Sequence, residues 1–127
     1  MLNKPIIEAF DDIHWKGFPG APGIEYIDLE GSIYSPGQFT AKVKLPAGTD
    51  TPPHIHGVPF TDRSTVISGV LHVGVGTELD KTKGTALKTG DIAFIPPGVS
   101  HYAWTEEETV IHVHGEGPWV AQNFGAE

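Results

Sequence analysis

Apolar and polar positions alternate along most of this chain with the period of a strand rather than of a helix. Phe39, Ala41, Val43 and Leu45 alternate with Thr40, Lys42 and Lys44, the pattern of a strand with one face buried. Pro46-Ala47-Gly48 ends it. Further strands are predicted over Ile24 to Glu30, Thr65 to Val75, Thr85 to Lys88, Asp91 to Ile95, Val99 to Thr105 and Thr109 to His114. Gly69 marks a turn or bend inside the second of these, and Gly76 to Gly84 is a polar loop. Thr89-Gly90, Pro96-Pro97-Gly98 and Glu106-Glu107-Glu108 supply turns. Asp11 to Gly23 holds too much Gly and Pro for a helix, and no helix is expected elsewhere. Short strands at this spacing predict an all-β sandwich or jelly roll. With no internal linker or repeat, the reading is one domain: an arm over 1–23, a barrel over about 24–114 and a tail over 115–127.

Composition narrows the chemistry. A chain of 127 residues buries one ordinary core. Its 16 glycines and 11 prolines suit many tight turns. A net charge of −8 argues against nucleic acid and against anionic membrane surfaces, both of which need Lys and Arg. There is no cysteine, so a metal here would meet nitrogen and oxygen ligands. No apolar run approaches the roughly 20 residues of a membrane span, and no signal-like segment opens the chain. A cytoplasmic protein is therefore expected.

Two histidine patterns carry the candidate site. Gly48 is followed, after five residues, by His54-Ile55-His56. Gly90 is followed, after five residues, by Pro96, then Gly98 and His101. A His-x-His pair on a strand puts both rings on one face, with Cα atoms about 6–7 Å apart at roughly 3.3 Å of rise per residue. Two such rings can converge on one cation if His101 arrives from another strand.

These residues resemble the two motifs of the cupin superfamily, and the resemblance covers most of the chain. Gly48, His54, His56 and Gly69 match the first motif, with Asp62 standing where the family has Glu. Gly90, Pro96, Gly98 and His101 match the second, with Thr105 where the family often has Asn. The resemblance implies a double-stranded β-helix, or jelly-roll barrel, holding one divalent ion (Fe, Mn, Ni, Co or Zn) on His54, His56 and His101. Asp62 departs from the pattern. Five residues separate it from His56 and its side chain is one methylene shorter than Glu. It is either a fourth ligand, or a partner of Arg63 or a cap of its loop, in which case water or another residue completes a three-histidine site.

Other side chains are placed by parity. His112 and His114 share one face of the last strand, and His114, if it faces inward, is a candidate general base. Tyr102 and Trp104 face away from His101, while Ala103 faces the same way as His101. Phe60 lies near the mouth, Phe94 and Tyr34 are candidates for the interior, and His72 and His14 are surface residues.

The resemblance implies a metal-dependent enzyme acting on a small organic molecule, of dioxygenase, isomerase, lyase or cyclase type. The alternatives are a cupin that binds or senses a small ligand without turnover, and a barrel without metal. Trp15 and Trp119, outside the motif strands, are expected to cover a sheet edge or exchange with a neighbour, and a homodimer is expected.

Overall fold

The computed structural model describes residues 2–9 and 14–120. Parts of the proposed arm (residues 10–13) and tail (121–127, with Phe124) lie outside them. All the regular structure described is β: β1 (Lys16–Gly17), β2 (Glu25–Glu30), β3 (Gly37–Leu45), β4 (Asp50–His54), β5 (Asp62–Ser68), β6 (Leu71–Val75), β7 (Thr85–Leu87), β8 (Ile92–Ile95), β9 (His101–Trp104) and β10 (Thr109–Gly117). They form two antiparallel sheets, ordered β1-β2-β3-β10-β5-β8 and β4-β9-β6-β7. The predicted strands are present, with three differences. The strand expected to carry the His-x-His pair starts at Asp50 and includes both prolines; β1 was not expected; and β10 continues past His114 to Gly117.

The alternation in β3 works as read. Phe39, Ala41, Val43 and Leu45 are buried and join Ile111, Val113, Val66 and Leu71 in the core between the sheets. Each buried side chain of this size contributes roughly 1.5–3 kcal/mol relative to exposure. Register then sets the facing of every neighbour. Val113 pairs with Ala41 and Ser64, so His112 and His114, one residue away on either side, project from the outer face of the large sheet. On β8, Ile95 pairs with Asp62 and Ala93 with Ser64, which turns Phe94 outward. Phe94 is 61% exposed, so its expected place in the interior is corrected. Tyr34 is half-buried and packs against the core.

The outer face of the small sheet is covered by the loop between β6 and β7. Tyr102 faces away from His101, as parity requires, yet is only 1% exposed. Its hydroxyl donates to the Asp80 carbonyl at 2.8 Å. Gly74 lies directly under its ring and Gly84 under the Trp104 ring, leaving no room for a Cβ at either position. His72, expected at the surface, is half-buried and stacks on Trp104 at 4.8 Å between ring centroids.

The two segments outside the motif strands pack on their own barrel. Trp15 lies against the Lys44 ammonium, 4.5 Å from the ring centroid. The Trp119 and Val120 amides both donate to the Ile33 carbonyl, at 2.9 and 2.8 Å. Trp119 lies against Phe18, Phe39 and Phe60 at 4.8, 6.0 and 5.7 Å between ring centroids.

Gly74→Ala should destabilise the fold by at least about 1–3 kcal/mol, the usual cost of overpacking, because Tyr102 is fixed on both sides. Chemical denaturation measures this, and an unchanged midpoint would contradict the packing described.

Candidate metal centre

Four segments bring the site together at the end of the barrel core. β4 is an edge strand, where Pro52 and Pro53 cost no ladder hydrogen bond. The register against β9 shifts between Thr51 and His54, so the prolines lie in a bulge. Past that bulge His54 pairs directly with His101 on β9. His56 does not share the strand, because β4 ends at His54. The expected strand geometry of the His-x-His pair is corrected on this point. His56 is held from the other motif, since the Gly98 amide donates to its carbonyl at 2.9 Å. The motif glycines and Thr105 perform the same tying elsewhere. The Gly48 amide donates to the Thr105 carbonyl, and the Thr105 hydroxyl donates to the Pro46 carbonyl at 2.7 Å. Gly48, Gly69, Gly90 and Gly98 all have positive φ, which favours glycine.

The three rings converge. One ligand atom from each of His54, His56 and His101 lies within 4.8 Å of the others. The His54 Nδ1 is 2.7 Å from the Pro52 carbonyl and the His101 Nδ1 is 3.0 Å from the Val99 carbonyl. A carbonyl only accepts, so each Nδ1 carries the proton and each Nε2 is left as the free donor atom. The Nε2 atoms of His56 and His101 are buried without a hydrogen-bond partner. Three converging imidazoles with two orphaned nitrogens fit a divalent transition metal.

Asp62 opens β5 and points inward. Its Oδ2 lies 3.7 Å from the His56 Nε2 and 3.6 Å from the His101 Nε2, too long for hydrogen bonds. Its Oδ1 accepts the Ser64 hydroxyl at 2.7 Å. The alternative of pairing with Arg63 fails on parity, since Arg63 faces outward one residue along. Ser64 was missed by the sequence reading. Its signal was the i, i+2 alternation that puts it beside Asp62 on the inner face.

Burial competes with the mutual attraction of the rings and the carboxylate. It pushes His54 down, and pushes His56 down to about 4, against the opposing pull of Asp62. Burial alone would lower His101 as well, but the Asp62 carboxylate and the Val99 carbonyl hold it above the usual histidine value. Burial would raise Asp62, yet His101, Ser64 and His56 together hold it below the ordinary carboxylate value. Burial thus favours the neutral, ligand form of His54 and His56, while the Asp62 carboxylate makes His101 the hardest of the three to deprotonate.

The cluster sits at one end of a cavity of about 590 Å³, within the size range of small-molecule sites. Ala103 lines it beside His101, as expected. Phe60 lines it and meets the His56 ring edge-on at 5.1 Å. Ile111 and Val113 also line it, whereas His112 and His114 alternate to the opposite face. The expectation of His114 as a general base at this site is therefore corrected: a sheet lies between its side chain and the cavity. His72 and the surface residue His14 stand apart as well, His14 with a backbone φ of 62°.

No family model matches the sequence, and no curated protein matches it. Solved structures do. A RmlC-like cupin from Shewanella frigidimarina superposes with a TM-score of 0.66 at 21% identity, over 87% of this chain and 89% of that one. This chain has the cupin fold. The polyketide cyclase RemF from Streptomyces resistomycificus gives a TM-score of 0.69 at 16% identity, covering 96% and 91% of the two chains. Salicylate 1,2-dioxygenase from Pseudoaminobacter salicylatoxidans, solved as adducts with gentisate, gives 0.64 at 21% identity over 81% of this cupin-fold chain but only 27% of its own length.

Metal binding should release protons, chiefly from His101. Apparent affinity should rise with pH through the range just above the usual histidine value and then level off. In the metal-free protein the two kinds of ring act with opposite sign. Stability from the raised His101 is full below the unfolded value of 6.5 and is lost as pH rises through its folded value. Stability from neutral His56 is full above 6.5 and is lost as pH falls towards about 4. Calorimetric titration of Zn(II) in buffers of different ionisation enthalpy reads the released protons. Affinity independent of pH would contradict this assignment.

Proposed function

We propose that this chain is a metal-dependent enzyme acting on a small organic molecule. His54, His56 and His101 would hold one divalent ion, and Asp62 would be its fourth protein ligand. The observation that carries this reading is the pair of buried, partnerless Nε2 atoms facing one another and the free Nε2 of His54. Leaving such atoms unsatisfied costs about 1–3 kcal/mol each, a cost that coordination would remove. When bound, a divalent ion supplies a Lewis acid or, as iron, a centre for dioxygen chemistry. The chain's own residues orient and shield. The Pro52 and Val99 carbonyls fix two imidazole tautomers, Ser64 fixes the Asp62 carboxylate, and Phe60 closes one side of the His56 ring. The apolar walls keep water from the bound molecule.

Among reaction classes we place dioxygenase first. Its support is the cupin-fold neighbour named a salicylate 1,2-dioxygenase, together with a ligand set that suits Fe(II). The neighbour named a polyketide cyclase supports ring closure as the second class. Fold likeness is a weak guide to reaction, so the metal decides. Elemental analysis of tag-free protein should give about one transition metal per chain, and His101→Ala should lose it. Asp62→Asn should weaken retention by at least the roughly 10–100-fold seen when a partner of a metal ligand is removed. No uptake of Fe(II), Mn(II), Ni(II), Co(II) or Zn(II) by the parent protein would overturn the proposal. Metal uptake and ligand-induced stabilisation without turnover of any tested substrate would make the site a sensor instead.

We also propose a homodimer in the cytoplasm. Its support is the exposed apolar set Ile67, Ile92 and Phe94 at the β5–β8 side of the large sheet, since a row of this kind on an unpaired edge invites a partner. Light scattering should give twice the 13.6 kDa of the chain; a monomer at micromolar concentration would contradict it.

A further inference from the structure

The cavity is strongly polarised along its length. At one end are His54, His56, His101, Asp62 and Ser64. Apart from Thr51 the rest of the wall is apolar, with aromatic rings arriving from three separate segments: Phe18, Phe60 and Trp119. Among the described residues that line it there is no Lys or Arg, and Asp62 supplies the one carboxylate. The residues outside the description, 1, 10–13 and 121–127, contain no Lys or Arg either. The cations of the large sheet lie elsewhere: Lys42, Lys44 and Arg63 share the outer face with His112 and His114. An anionic group placed along the apolar wall would therefore lose its hydration, gain no cation and face Asp62. Desolvating an unpaired charge is among the costliest things a protein interior can do.

We infer that the cavity takes an uncharged molecule built on an aromatic ring, with its polar edge turned to the histidine end, and that it discriminates against the corresponding aromatic acid. The inference rests on reading this cavity as the substrate site. A carboxylate directed away from the histidines would find no Lys or Arg in the wall. The aromatic walls favour a flat ring through offset or edge contacts worth about 0.5–1.5 kcal/mol beyond burial. The volume of about 590 Å³ admits more than one fused ring.

The test uses a matched pair of probes, 2-naphthol and 2-naphthoate, which share a ring system and differ in charge at neutral pH. Both are titrated into the full chain, stripped of metal by chelation and again loaded with Zn(II), with heat and Trp fluorescence as readouts. In the metal-free protein the naphthol should bind at least about tenfold more tightly than the naphthoate. Equal or tighter binding of the naphthoate, or no binding of either, would overturn the inference. Ala103→Lys, which places an ammonium in the wall, should shift the ratio towards the naphthoate. A folded Ala103→Lys with an unchanged ratio would place the probes outside the cavity and overturn it too. Should that variant not fold, the ratio in the parent protein remains decisive. Because the ratio is read without metal, failure of the metal assignment shows separately, as lack of Zn(II) uptake.

Discussion

Burying the Nε2 atoms of His56 and His101 beside one another and beside the Asp62 carboxylate, with no hydrogen-bond partner for either nitrogen, is unfavourable by itself. Polar atoms stripped of water need a partner, and here the fold withholds one. The arrangement persists because its parts are fixed from outside. His54 and His101 are locked as a cross-strand pair, His56 hangs from the Gly98 amide, and Asp62 is held by Ser64. The glycines and prolines of both motifs serve this end. They let the chain bulge, turn and return so that four polar side chains meet where the barrel is otherwise apolar. Such pre-positioning of unsatisfied donors, maintained at a cost in stability, is the expected mark of a binding centre.

The polarity of the cavity follows from the same strand alternation. On β5 the inward face carries Asp62 and Ser64 before Val66, and on β9 it carries His101 before Ala103. On these two strands polar residues thus occupy one end of the inward face and apolar residues the other. The opposite parity takes the cations to the outer sheet surface. One sequence period therefore separates the histidine end, the largely apolar wall and the charged exterior.

Much of this was legible beforehand. The period-two pattern of β3 named its core residues correctly, because a half-buried strand leaves no other reading. The three histidines were legible from spacing, and the inward facing of Ala103 and outward facing of Tyr102 from parity. The errors have physical causes. Parity put His114 and Phe94 each on one of two faces, but only pairing register decides which face is inward, and register is a long-range property. Tyr102 and His72 do face outward, yet they are covered, because a loop folds over them at glycines whose packing role local sequence does not reveal. Asp62 was ambiguous on spacing alone. A bulge at Pro52 and Pro53 and a strand that ends at His54 change the reach required of it, and neither feature has a sequence period.

The central claim is that His54, His56, His101 and Asp62 form one metal-binding centre. Crystals soaked in Co(II) or Zn(II), with data collected across the metal's absorption edge, test it most directly. The account predicts a single anomalous peak about 2.0–2.2 Å from the three Nε2 atoms and from an Asp62 oxygen. A peak on the outer sheet at His112 and His114, or none at the three-histidine cluster, would contradict it.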